Sequence, residues 1–128
     1  MLGERGEGFL AGTHSIDAYG NYGFRFGGMS HKGSIIIWEA GVYAWSPNTF
    51  DEIVPGTLGP LFDAPAGTVE LLLLGMGETL RPVPDLVRQR LKSIGIRCDP
   101  MATSAAARTY NVLIAERRRV AAALLAVP

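Results

Sequence analysis

Cys98 is the single cysteine in 128 residues, which excludes an intramolecular disulfide framework and a multi-cysteine zinc site. The two histidines, His14 and His31, stand far apart without ligand spacing, so no metal is expected. No apolar run nears the ~20 residues that a membrane-crossing helix needs. The longest, Val120 to Pro128, has nine. The amino end, Met1-Leu2-Gly3-Glu4-Arg5-Gly6-Glu7-Gly8, lacks the basic start and apolar stretch of a secretory signal, and its glutamates argue against a mitochondrial presequence. An excess of one charge sign is missing too. Twelve Lys+Arg face twelve Asp+Glu, whereas a general nucleic-acid binder carries a strong basic excess. There is no internal repeat, no low-complexity stretch, and no nucleophile-elbow context around Ser15, Ser30 or Ser34. These absences predict a cytoplasmic chain that spans no membrane, binds no nucleic acid and carries no cofactor.

What is present is a globular balance, 48% hydrophobic and 19% charged residues. A chain of this length buries roughly 70% of its unfolded surface and needs neither metal nor disulfide to fold. Residues 1–13 are Gly-rich and polar and read as a flexible arm; 14–128 read as one domain. The zero net charge hides an asymmetry. Residues 1–80 hold three bases against nine acids, a formal −6, and residues 81–128 hold nine bases against three acids, a formal +6. The two halves either complement each other or leave a basic face for an anionic ligand or an acidic protein.

Mixed aromatics and glycines from Ile16 to Phe26 predict short strands with turns. Gly33 to Trp38 is a β-branched strand, and Val42 to Trp45 another. Three prolines and three glycines in 55–67 predict a loop with one helical turn around Leu58 to Phe62. Val69 to Leu74, apolar but for Glu70, suits a strand covered on both faces. A helix from Pro84-Asp85 to Ser93 should bury Leu86, Val87, Leu91 and Ile94 and stop at Gly95. Ile96–Asp99 is a strand, a second helix capped by Thr103 or Ser104 runs to about Arg117, and Val120–Val127 is a last strand. The fold class is therefore mixed α/β: an antiparallel, β-rich first half and a β-α-β-α-β second half with parallel neighbours, layered in one domain.

Two segments carry candidate site residues. Gly75-Met76-Gly77-Glu78 follows the apolar strand, where open α/β sheets let a backbone approach a ligand. The third glycine of a dinucleotide fingerprint is missing, and a tight turn explains the pair equally well. The second helix offers an N-terminus suited to an anion, with Ser104 in its first turn and Arg108 one turn inside. Tyr110 and Asn111 follow, and asparagine is a poor helix-interior residue. Asn111 thus either fixes a neighbouring loop by hydrogen bonds or contacts a ligand. Gly75, Gly77, Glu78, Ser104, Arg108, Tyr110 and Asn111 form the candidate ligand set. Trp45, if exposed, and Arg118 form the candidate interaction set. Cys98 reads as a buried, inert thiol. No residue is assigned a catalytic role.

Taken together, Glu70-Leu71-Leu72-Leu73-Leu74-Gly75-Met76-Gly77-Glu78, Arg108-Thr109-Tyr110-Asn111-Val112-Leu113, Glu116 with Arg118, and Val120-Ala121-Ala122-Ala123-Leu124 resemble the complex I assembly factor 3 family, a family of unknown biochemical function with archaeal, bacterial and mitochondrial members. Tyr19, Gly23-Phe24, Gly33-Ser34 and Val42-Tyr43-Ala44-Trp45 are similar to its N-terminal pattern, so the resemblance covers roughly residues 14–127. It implies a single mixed α/β domain with a hammerhead-like hairpin in its β-rich half. For mitochondrial relatives it implies help in assembling respiratory NADH:ubiquinone oxidoreductase. Three positions depart from the family. Ala107 stands where many relatives carry cysteine, so thiol chemistry cannot run there. Arg117 replaces a glycine, which predicts a longer helix. Met76 replaces a small polar residue between the two glycines.

Two functional readings follow. The first is a non-enzymatic interaction protein with a protein partner, such as the subunits of a membrane complex, and a homo- or hetero-oligomeric state. The second is a protein or enzyme for a small anionic ligand, with its pocket between the Gly75–Glu78 loop and the N-terminus of helix 104–117. A purely structural role for the conspicuous residues stands beside both.

Overall fold

Successive leucines of the 71–74 run point to opposite sides of one sheet. Leu72 and Leu74 join one buried cluster, and Leu71 and Leu73 join the other. The computed structural model describes residues 10–128. In chain order the strands are β1 (Leu10–Ala11), β2 (Ala18–Gly20), β3 (Gly23–Phe26), β4 (Met29–Lys32), β5 (Ile35–Trp38) and β6 (Gly41–Ala44). Two 3-10 turns, Phe50–Glu52 and Pro55–Leu58, lead into α1 (Gly59–Phe62). The second half runs β7 (Leu71–Gly75), α2 (Asp85–Ser93), β8 (Arg97–Met101), α3 (Thr103–Ala115) and β9 (Val120–Leu124).

Six strands form one sheet in the order β1-β6-β5-β9-β7-β8, and β2-β3-β4 form a small antiparallel sheet. β7 is parallel to both β8 and β9, while β5 runs antiparallel to β9 and joins the two halves. The large sheet is buried on both faces. On one side Ile36, Leu72, Leu74, Ala121 and Ala123 pack with Leu58, Leu61, Val87 and Leu91 of the 3-10 turns, α1 and α2. On the other, Ile35, Ile37, Leu73, Ala122 and Leu124 pack with Ala106, Ala107 and Tyr110 of α3 and with Phe24 and Phe26 of the small sheet. Each fully buried branched side chain contributes about 1.5–3 kcal/mol. Alanines at 106, 107 and 122, all nearly inaccessible, leave room for α3 to lie close to β9.

The mixed α/β architecture agrees with the sequence reading, with differences in detail. β8 and β9 are not neighbours; they flank β7. The chain moves one way along the sheet from β7 to β8 and back from β8 to β9, so right-handed crossovers place α2 and α3 on opposite faces. β8 extends through Pro100, which an edge strand tolerates because one side of it needs no ladder bond. Leu86 and Ile94 do not join Val87 and Leu91 in the core; both are exposed, so the buried stripe of α2 is narrower than its sequence suggests. α3 ends at Ala115, not near Arg117. Arg118 N–H bonds to Leu113 O at 3.0 Å and Arg117 N–H to Ile114 O at 2.9 Å. That helix stop needs a left-handed residue, and Arg117 adopts it, with φ 62°. Of the expected arm, residues 1–9 lie outside the described residues, and Leu10–Ala11 pair with Val42 and Gly41.

Candidate functional site

The carboxyl end of β7 meets the start of α3 at a junction closed by the chain's own hydrogen bonds. Thr103 N–H donates to Gly77 O at 2.8 Å, and Gly77 N–H donates back to Thr103 Oγ1 at 3.0 Å. The Thr103 hydroxyl then donates to Leu125 O at 2.7 Å. Met76 N–H reaches Met101 O at 2.8 Å, and Leu125 N–H reaches Gly75 O at 3.0 Å. Thr103 is fully buried, and it caps nothing: the N-cap position is Ala102, without a side-chain cap bond. Glycine is required here for packing and torsion. A Cβ at Gly75 would lie 2.7 Å from Leu124 Cδ2 and 3.2 Å from Thr103 Cα, and Gly77 holds φ +94°. Met76 is buried in the core, so its departure from a polar residue removes no surface group.

The candidate ligand residues are not brought together. Gly77 and Glu78 line a cleft of about 270 Å³ with Tyr22, Asn48, Phe50 and Arg81. Arg81 places its guanidinium 5.0 Å from the centre of the Phe50 ring. No residue of α3 lines that cleft. Ser104 is half-buried in the first turn of α3, and Arg108 is exposed, with Nη1 3.5 Å from the Tyr19 hydroxyl. Tyr110 is fully buried; burial pushes the pKa of its phenol upward, and its hydroxyl has no hydrogen-bond partner among the described residues.

Asn111 takes the loop-fixing option. Its Oδ1 accepts from Ile16 N–H and its Nδ2 donates to Ile16 O, both at 2.8 Å. This amide clamps the segment leading into β2 onto α3, so the small sheet is held where Phe24 and Phe26 can pack. Trp45 is not an exposed interaction residue. Only 4% of it is accessible, and its Nε1–H donates to Thr57 O at 3.0 Å. The ring fills the core beside the 3-10 turns. Arg118 is exposed.

Among the described residues no group of three or more His, Cys, Asp or Glu could hold a metal ion. Burial lowers the His31 pKa and raises those of Cys98 and Tyr110, and none of the three lines the cleft at Glu78. Three structural residues escaped the sequence. Ser34, 1% accessible, accepts from Ala126 N–H at 3.0 Å, and a lone serine at a strand start carries no signal of that. Asn21 and Tyr22, with φ 53° and 59°, form the two-residue turn of the β2–β3 hairpin. The close Gly20 to Gly23 spacing was the available cue.

Fold and site together define a small mixed α/β domain in which the side chains of Asn111, Thr103 and Ser34 bind its own backbone. Residues 16–125 match the family described as "Protein of unknown function (DUF498/DUF598)", and the chain belongs to that family. It is 39% identical over 127 residues to an uncharacterised protein of Rhodobacter capsulatus, covering 99% of this chain and 95% of that one. It is 30% identical over 113 residues to NADH dehydrogenase [ubiquinone] 1 alpha subcomplex assembly factor 3 of Drosophila melanogaster; 86% of this chain is covered but only 57% of the fly protein. The crystal structure of a Bartonella henselae protein described as an outer membrane protein superposes with a TM-score of 0.85 at 42% identity, covering 93% of this chain and 99% of that one. No helix among the described residues is long and apolar enough to cross a membrane.

Proposed function

We propose that this domain works by protein–protein contact, assisting assembly of a respiratory membrane complex of the NADH:ubiquinone oxidoreductase type, without catalysis of its own. One observation carries the reading: the match to assembly factor 3 extends over 86% of the chain and so takes in the fold itself. The geometry supports it from the other side. The β7–α3 junction, where an open α/β sheet would present a ligand, is occupied by Thr103 and its hydrogen bonds. The alternative of a small anionic ligand at Gly75–Glu78 and the start of α3 has less support, because its residues are dispersed between a cleft, the core and the surface.

The test is depletion of the protein in its host, followed by native gel analysis of membranes. Mature NADH:ubiquinone oxidoreductase should fall while subcomplexes accumulate, and the wild-type chain should restore it. An unchanged level of the mature enzyme in depleted cells overturns the proposal.

A further inference from the structure

The end of the domain where β7, β8 and β9 begin is basic. Glu70 N–H bonds to Arg119 O at 2.9 Å and Arg97 N–H to Glu70 O at 3.0 Å, so the residues entering the three parallel strands lie side by side. α3 ends at the same place and delivers Arg117 and Arg118. Between them lies a cleft of about 320 Å³ lined by Thr13, Glu39, Thr68, Arg117, Arg118 and Arg119. Arg119 is committed to the fold, with Nη1 on Gly67 O at 2.8 Å and Nη2 3.5 Å from Glu70 Oε1. Arg117 and Arg118 are exposed, and neither forms an ion pair with a carboxylate of the described residues. Arg117 also holds the left-handed backbone at φ 62°, a position that glycine fills without strain.

We infer that this cleft docks an acidic segment of a protein partner. The inference rests on the protein-contact reading above and names the surface it uses. Two guanidiniums without an ion-pair partner among the described residues present paired donors that match carboxylates. The carbonyl end of α3 opposes any anion seated close against it, so the guanidiniums suit carboxylates carried on an extended chain, which can meet them away from the helix end, better than a compact dianion such as phosphate. Glu39, which lines the same cleft, repels carboxylates as it repels phosphate but accepts hydrogen bonds from peptide N–H groups. A flexible chain can set carboxylates on Arg117 and Arg118 while offering amides to Glu39 and to the hydroxyls of Thr13 and Thr68.

The probe is a fluorescein-labelled decapeptide of alternating Glu and Gly, titrated by anisotropy against the full chain and mapped by amide chemical-shift changes. Saturable binding should shift amides of Thr68 and 117–120 and weaken with added salt. R117G and R118Q should each bind roughly tenfold more weakly. K32Q, on β4 and outside the cleft, should bind as the wild type does. R117G should unfold at the wild-type temperature or above it, so its lost binding is not lost folding. Equal affinity in R117G, equal loss in K32Q, or binding to phosphatidylglycerol vesicles or inorganic phosphate in place of the peptide overturns the inference. Normal complex assembly in depleted cells with peptide bound at this cleft removes the assembly reading alone. Defective assembly with no peptide binding removes this surface alone.

Discussion

Replacing Asn111 should detach the small sheet from α3. The side chain satisfies both polar groups of Ile16, a residue only 5% accessible, through two bonds of 2.8 Å. Asn111→Ala leaves a donor and an acceptor unpaired, each costing about 1–3 kcal/mol when buried, and entry of water recovers part of that. The gain in helix propensity returns about 0.5 kcal/mol. The net expectation is a loss of about 2 kcal/mol, or roughly 5–8 °C in Tm. Asn111→Asp separates the two bonds. The introduced carboxylate still accepts from Ile16 N–H but faces Ile16 O with a charge and no donor. Its neutral form is preferred in the folded state, so its folded pKa is raised above the unfolded one. The variant is therefore closest to wild type below about pH 4, where the proton can donate, and loses stability as pH rises. Urea unfolding at pH 4 and pH 7, with hydrogen exchange at the Ile16 amide, reads all of this. A cost under about 0.5 kcal/mol for Asn111→Ala with Ile16 exchange unchanged would refute the clamp.

Gly75→Ala should destabilise by about 1–3 kcal/mol in denaturant unfolding, because its Cβ meets Leu124 Cδ2 at 2.7 Å and the Thr103 backbone. Thr103→Val keeps the shape but strips the hydroxyl between Gly77 N–H and Leu125 O; a loss of about 1–3 kcal/mol is expected, with faster exchange at the Gly77 amide. Cys98, its pKa pushed up to about 12 by burial with Asp99 adding and Arg88 opposing, should ignore a thiol reagent at pH 8 until the protein is unfolded. Its raised folded pKa also means that its contribution to stability is complete below pH 9.0 and is lost as pH rises toward about 12, which alkaline urea titrations of wild type and Cys98→Ala would compare.

Periodicity made the second half legible. The Val69–Leu74 run and the β-branched Gly33–Trp38 run state strand and two-sided burial outright. What periodicity does not encode is which strand lies between which, so β8 and β9 read as neighbours although β7 separates them. The end of α3 misled for a physical reason: a non-glycine residue predicts that the helix continues, yet the Schellman bonds of Arg117 and Arg118 hold the left-handed turn against Arg117's own preference. Asn111 was visible as an anomaly, and its partner was not, because Ile16 lies 95 residues away in sequence. Trp45 and Tyr110 were visible as large aromatics, but exposure depends on packing that one strand or helix cannot reveal.

The polar residues divide by what they bind. Asn111, Thr103 and Ser34 each hold a backbone segment that lacks a strand partner of its own: the lead into β2, the Gly77 turn and the chain after β9. They are buried or half-buried, and substituting them acts on stability. Arg117 and Arg118 are exposed and make no ion pair with the described carboxylates. Surface charges of this kind add little to a fold, and removing them leaves it standing. A left-handed arginine at a helix stop is therefore hard to explain by stability, since glycine would serve the turn better. A partner's carboxylates supply the missing reason, at the opposite end of the parallel strands from the junction that Thr103 closes.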